Sequence, residues 1–250
     1  MEIKRRKFQG VLNILSFNRQ FYFFGLLVLG LIMLFQYVFN WEFELVLLII
    51  VGFLYGLLAP LLVSAYVYDF SKFYEFNWLN DLQLNKNNNL NIVNINAGFD
   101  ETSFILKNKF QQSNLKVFDF YDESKHTEQA IKRARKVSLV YPNTQRINTN
   151  AIPINENTVD ILFLLSSVHE IRKNKEKIVF FNECRRVLKH NGKIVIVEHL
   201  RDLPNFLAFS IGFTHFFSKQ TWKKVFKKTN LKLKEEIKFT PFMSVFILNK

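Results

Sequence analysis

Two uncharged stretches lie almost end to end near the start of the chain, and they limit what it can become. Phe21–Phe39 runs nineteen residues without a charge, and Leu45–Val67 runs twenty-three. A helix crossing a bilayer needs about 20 apolar residues, so either run suffices. Pro60 and the glycines do not argue against spanning, because bilayer helices tolerate them. Two such runs, separated only by Asn40-Trp41-Glu42-Phe43-Glu44, are rare as a buried hairpin of a soluble core. A cleaved signal peptide has a shorter apolar run and no second one at once behind it. The first 70 residues therefore predict a two-helix transmembrane hairpin, with spans at 21–39 and 45–67.

Charge gives the hairpin a direction. Lys4, Arg5, Arg6, Lys7 and Arg19 precede the first span, whereas the connecting loop has only Glu42 and Glu44. By the positive-inside rule both termini face the cytoplasm across the cytoplasmic membrane. Within Met1–Gln20, Phe8, Val11, Leu12 and Leu15 fall at helical spacing, the pattern of an interfacial helix. The net charge of +13 suits anionic lipid or nucleic acid. Cys184 is the sole cysteine, so no internal disulfide exists and a reducing compartment is the natural setting.

Residues 71–89 read as a juxtamembrane linker. Phe73, Phe76, Trp78, Leu79 and Leu82 are expected against the headgroups, where aromatic residues concentrate. Asn85-Lys86-Asn87-Asn88-Asn89 is a polar break and the expected boundary of a soluble domain over 90–250.

That domain opens on Asn91-Ile92-Val93-Asn94-Ile95-Asn96-Ala97-Gly98-Phe99-Asp100. Apolar alternation runs into a turn and then into Glu101–Leu106, a helix start. A helix N-terminus after a glycine turn favours an anionic ligand and admits it close to the backbone. Leu115–Asp119 follows as a strand and Glu123–Val137 as a helix, with Lys132, Arg133, Arg135 and Lys136 on its outer side. Thr144–Asn150 is a weak strand. Val159–Leu165 is continuously apolar, as a parallel strand covered on both faces should be. Lys175–Lys189 is a helix that Asn191-Gly192 stops, with glycine expected in a left-handed cap. Lys193–Val197 is a strand and Gln220–Thr229 a basic helix. Leu231–Ile237 and Phe242–Leu248 are closing antiparallel strands. Strands alternating with helices predict a doubly wound α/β sheet.

Two segments resemble a known family. Ile152-Pro153-Ile154-Asn155-Glu156-Asn157-Thr158-Val159-Asp160 is similar to the "LPF-x-D-x-S-F-D" stretch of class I S-adenosylmethionine-dependent methyltransferases, of the type 11 kind. Glu183-Cys184-Arg185-Arg186-Val187-Leu188-Lys189-His190-Asn191-Gly192-Lys193 is similar to their "E-x-x-R-V-L-K-P-G-G-x". The resemblance covers about Leu90 to Lys250. It implies a Rossmann-like seven-stranded sheet whose last strand is antiparallel, and S-adenosyl-L-methionine as cofactor. The family's "D-x-G-x-G-x-G" falls on Asn94, Asn96, Gly98 and Asp100, so only one glycine is kept. Asn and Asp enter the left-handed region more readily than most residues, which would allow the family's backbone path. By the same resemblance Asn94, Asn96, Ala97 and Gly98 would form the cofactor loop, and Asp119 would accept hydrogen bonds from the ribose hydroxyls. Asn148 or Asn150 would face the adenine, beside Ala151 as a backbone donor.

His169-Glu170 and Glu198-His199 follow the fourth and fifth strands, at the ligand-facing edge of such sheets. Either histidine is a candidate base for an oxygen acceptor, although positioning and desolvation are the larger effects. No His/Cys/Asp/Glu cluster has metal-ligand spacing in the sequence. The nicotinamide motif G-x-G-x-x-G is absent. Phe206–Phe217 is too short to span and either lines a pocket or touches the bilayer. The basic clusters Lys132–Lys136 and Lys223–Lys228 suit anionic headgroups on a tethered domain.

The expected function is methyl transfer to a lipophilic or membrane-associated small molecule, with the lipid bilayer as partner and no nucleic acid. The alternative is a degenerate, non-catalytic fold serving as a membrane interaction module. Salt-sensitive DNA or RNA binding would mark a third, nucleic-acid-directed reading.

Overall fold

The computed structural model describes residues 5–82, 89–126 and 128–250. Lys4, residues 85–88 of the expected boundary and Thr127 lie outside the described residues. Three helices come first, α1 (Gln9–Phe17), α2 (Arg19–Phe39) and α3 (Phe43–Ala65). A seven-stranded sheet follows: β1 (Asn91–Asn96), β2 (Asn114–Asp119), β3 (Gln145–Arg146), β4 (Val159–Leu165), β5 (Leu188–His199), β6 (Lys232–Thr240) and β7 (Met243–Asn249). Helix α4 (Ser103–Lys109) follows β1, and α5 (Gln129–Val137) follows β2. Helix α6 (Asn174–Val187) follows β4, while α7 (Leu203–Phe209) and α8 (Lys219–Lys228) follow β5. The strand order is β3-β2-β1-β4-β5-β7-β6. Strands β1 to β5 pair in parallel, and β7 runs antiparallel to both β5 and β6. The chain reverses its direction of growth between β1 and β4, which opens a crevice at their carboxyl ends.

Both sheet faces are covered, which is why β4 has no polar alternation. On one face Phe180, Phe181, Cys184, Trp222 and Phe226 of α6 and α8 are buried. On the other, Leu106 of α4 and Phe110 share a cluster with an unexpected partner, the segment that follows α3. After α3 the chain tightens into a π-helical turn, Tyr66–Phe70, then two 3₁₀ turns, Phe73–Glu75 and Asn77–Leu82. Phe73, Phe76, Trp78 and Leu79 are buried with Val195 and Val245 of the sheet. Trp78 Nε1 also donates to Phe73 O, at 3.1 Å. The headgroup role expected for these residues is therefore wrong. The sheet needed an apolar cover there, and burying large aromatic rings outweighs leaving them at an interface.

The two motifs that carry the family resemblance clasp one another. Arg186 donates to Ile154 O and Ile152 O, at 2.9 and 2.8 Å, and pairs with Glu183 at 2.8 Å. Glu183 in turn accepts the Ile152 N–H, at 3.0 Å. Lys189 pairs with Asp160 at 2.7 Å.

Helices α2 and α3 are each long and apolar enough to cross a membrane, with only 6% and 11% of their apolar windows buried. Helix α1 is held to the chain that leaves α3: Asp69 accepts the Gly10 and Val11 N–H groups, at 2.7 and 3.0 Å. A carboxylate at a helix N-terminus satisfies free donors and complements the dipole.

Several boundaries move. The helix expected from Glu123 begins at Gln129, because the Asp122 carboxylate binds the Ser124 N–H and hydroxyl and turns the chain first. The strand expected over Thr144–Asn150 shrinks to Gln145–Arg146. Gly192 is no left-handed cap: β5 already begins at Leu188, and Gly98 is the only glycine with positive φ among the described residues. Gly192 is required for room instead, since a Cβ there would lie 2.9 Å from Val159 O. The basic side of α5 is partly turned inward, with Arg133 donating to Phe17 O at 2.6 Å.

Trp78→Ala is expected to destabilise the full chain by about 3–5 kcal/mol, the range for a large aromatic removed from a core. Denaturant melts in detergent would measure it; a change within 0.5 kcal/mol would mean that the segment only rests on the sheet.

Candidate active site

The loop after β1 is built by its side chains. Asn96 Oδ1 accepts the Gly98 N–H at 2.7 Å, closing a tight turn. Gly98 takes the left-handed conformation, with φ of +82°. Asp100 Oδ1 accepts the Thr102 and Ser103 N–H groups, both at 2.9 Å, at the start of α4. Asn94 is buried and donates to Thr102 Oγ1 and Ser103 Oγ, at 3.1 and 2.8 Å. Neither Asn96 nor Asp100 uses positive φ, contrary to the sequence expectation. Each substitutes a side-chain hydrogen bond for the missing glycine.

Asp119 ends β2 directly beside Asn96. Its Oδ1 accepts the Tyr121 N–H at 2.8 Å. Its Oδ2 is held by Arg135 Nη1 at 2.7 Å, and the same nitrogen donates to Ala97 O at 3.1 Å. The guanidinium stacks on Tyr121, 4.1 Å from the ring centre. It lies directly over the turn, since a Cβ on Gly98 would fall 1.3 Å from Arg135 Nη1. Sequence reasoning placed Arg135 on an outward basic face and missed this contact. Asn150 and Ala151 are exposed, outside the lining of the large cavity that Ala97 helps form. Asn148 and Asn150 border a separate depression with Lys125 and Glu176.

That cavity has a volume of about 920 Å³. Ala97 and Phe99 of the loop line it, as do Gly25, Phe53 and Gly56 of α2 and α3. Phe209 and Phe216 close a side. The apolar run expected at Phe206–Phe217 thus lines the cavity through some of its rings. It also meets α3, where Tyr55 Oη donates to Leu207 O at 2.5 Å.

Both candidate histidines line this cavity, in different states. His199 Nδ1 lies 2.9 Å from Phe242 O, which can only accept, so Nδ1 carries the proton. Nε2 then accepts from Tyr68 Oη, at 2.8 Å. Burial pushes the ring down to about 4, so it is neutral. His169 Nδ1 meets Glu198 Oε2 at 2.7 Å. Burial would lower this ring, but Glu198 and Glu170 outweigh it and raise it to about 10. His215, 46 residues beyond His169, stands against it with ring centres 5.0 Å apart. The sequence offered no local signal for His215.

Residues 95–196 match the family described as a methyltransferase domain. The sheet has the Rossmann-like fold of class I methyltransferases, and this match falls on its central strands. Its fold is similar to that of a SAM-dependent methyltransferase from Aquifex aeolicus, at a TM-score of 0.52 and 16% identity over 72% of this chain and 93% of that one. A protein from Pyrococcus horikoshii OT3 gives 0.51 and 16%, over 73% and 91%. A SAM-dependent methyltransferase from Methanosarcina mazei gives 0.50 and 13%, over 69% and 96%. No curated protein matches by sequence. The methyltransferase cofactor is S-adenosylmethionine. The residues present fit it: the bare Gly98 backbone and the Asp119 carboxylate face one spot at the sheet edge, and the flexible Arg135 side chain is what must move.

His199 gives a signed pH dependence. Its folded pKa lies below the unfolded value of 6.5, at about 4. Its contribution is complete above pH 6.5 and is lost as pH falls toward 4. His169 shifts the other way, and its own contribution is constant in that window. Melts between pH 6.5 and 4.5 should show about 2 kcal/mol of this loss. His199→Gln should flatten that slope; an unchanged slope would mean that the ring is not buried neutral.

Proposed function

We propose that this methyltransferase is anchored by α2 and α3 in the cytoplasmic membrane and methylates a lipophilic small molecule drawn from the bilayer. The observation that carries the reading is the lining of the 920 Å³ cavity, which the loop after β1 shares with the apolar helix pair. An acceptor confined to the bilayer is already concentrated where the cavity begins. The contacts of α1 with Asp69 and of Arg133 with Phe17 support a topology with both termini on one side of the membrane. With the basic flanks, that side is the cytoplasm.

S-adenosylmethionine, when bound, supplies an electrophilic methyl group. The turn Asn96-Ala97-Gly98 would hold its amino-acid end, with Asn94 fixing the turn to α4, and Asp119 its ribose. Asn148, Asn150 and Ala151 remain the proposed adenine neighbours on the β3 side. His169 and His199 would face the acceptor. His199 has its basic nitrogen tied to Tyr68, and His169 carries a proton between two carboxylates. Neither is poised as a free base at neutral pH. The apolar walls instead exclude water and orient the acceptor, which suits a displacement driven by proximity.

The Arg135–Asp119 contact favours one second reading, a non-catalytic module whose cofactor acid is permanently neutralised. Calorimetric titration of the full chain in detergent with S-adenosylhomocysteine separates the two. Binding is expected, weakened more than tenfold by Asp119→Ala and retained or tightened by Arg135→Ala. No heat from either the wild type or Arg135→Ala would leave the non-catalytic reading standing.

A further inference from the structure

We propose that His169, Glu170 and His215 form a site for one divalent first-row transition-metal ion in the cavity wall. The inference goes beyond methyl transfer and does not rest on it. One ligand atom from each residue lies within 4.8 Å of the others. His169 Nε2 is 3.5 Å from Glu170 Oε1, and His215 Nε2 is 3.9 Å from the same oxygen. Bonds of roughly 2.0–2.2 Å to such an ion set neighbouring ligand atoms about 3 to 3.5 Å apart. Side-chain rotations that move each tip by less than about an ångström close that gap.

The far nitrogens are arranged as metal-binding imidazoles require. His169 Nδ1 lies 2.7 Å from Glu198 Oε2, and His215 Nδ1 lies 3.5 Å from Glu128 Oε1. A carboxylate on Nδ1 keeps one proton there, so that a metal ion displacing the Nε2 proton meets a lone pair aimed at the shared centre. Arg172 Nη1 donates to both His169 O and His215 O, at 3.1 and 2.6 Å, locking the two ligand backbones together.

Glu170 supplies an independent observation. It is only 5% exposed, and its Oε2 has no hydrogen-bond partner. A buried carboxylate oxygen without a donor is costly, and a cation held at Oε1 satisfies Oε2 as well when the carboxylate binds it through both oxygens. All three residues line the cavity, so the remaining coordination positions face its interior, where an oxygen of the occupant could bind. Two imidazoles and one carboxylate select zinc, cobalt, iron or manganese over magnesium and calcium.

The test uses the full, untagged chain in detergent, stripped with chelator and titrated with Co²⁺. One equivalent is expected to bind with visible d–d absorption and to be displaced by Zn²⁺. Glu170→Gln, which keeps the side-chain volume, and His215→Ala should each weaken binding at least tenfold, while His190→Ala at an exposed position should not. Absence of d–d bands at stoichiometric Co²⁺, or equal titrations for wild type and folded Glu170→Gln, overturns the proposal. No cofactor or acceptor enters the measurement, so its failure leaves the methyltransferase reading untouched.

Discussion

One carboxylate, Glu101, ties the amino-terminal helices to the rest of the molecule. It stands three residues past Gly98 and gathers four partners from before the sheet. Arg5 pairs with it at 2.7 Å, and Gln9, Asn13 and Tyr74 donate to it at 2.9, 3.2 and 2.6 Å. Charge-assisted hydrogen bonds of this kind are the stronger ones, and several on one partly buried group fix geometry as well as energy. Phe17 adds a ring contact to Phe99 of the loop, at 5.3 Å. The position of α1 over the loop, and so the shape of the cavity beneath it, follows from this node.

The buried turns after α3 complete the attachment. Because Phe73, Phe76, Trp78 and Leu79 cover a face of the sheet, α3 is not a tether on a loose linker. The turns that join the apolar pair to the sheet are packed on the sheet, and a cavity lined by both becomes possible. Charge divides to either side of it. Arg135 neutralises Asp119 on the loop side, while Glu128, Glu170 and Glu198 surround two histidines on the other.

Legibility in the sequence tracked how local each cause was. β4 was readable to the residue, because continuous burial writes an uninterrupted apolar run. The β1–Gly98 turn was readable because a glycine after an apolar strand marks a tight turn. Gly192 misled for the same reason: its lack of a side chain answers a close approach to Val159, which no local pattern announces. The aromatics at 73–79 fit a membrane interface and a core equally well by composition, and only the uncovered face of the sheet decides between them. Arg135 and His215 act across distances of 16 and 46 residues from Asp119 and His169, so neither role is written near its partner. The two non-glycine residues of the loop were legible as departures, but their Asx-type repair was not.

Methyl transfer from a radiolabelled cofactor tests most directly that the sheet edge serves molecules dissolved in the bilayer. Membranes containing the chain would be incubated with methyl-labelled S-adenosylmethionine and then extracted with organic solvent. Label accumulating in the organic phase, and falling when the lipid fraction is depleted, is the expected result. Label appearing only in water-soluble products or in the chain itself would contradict it.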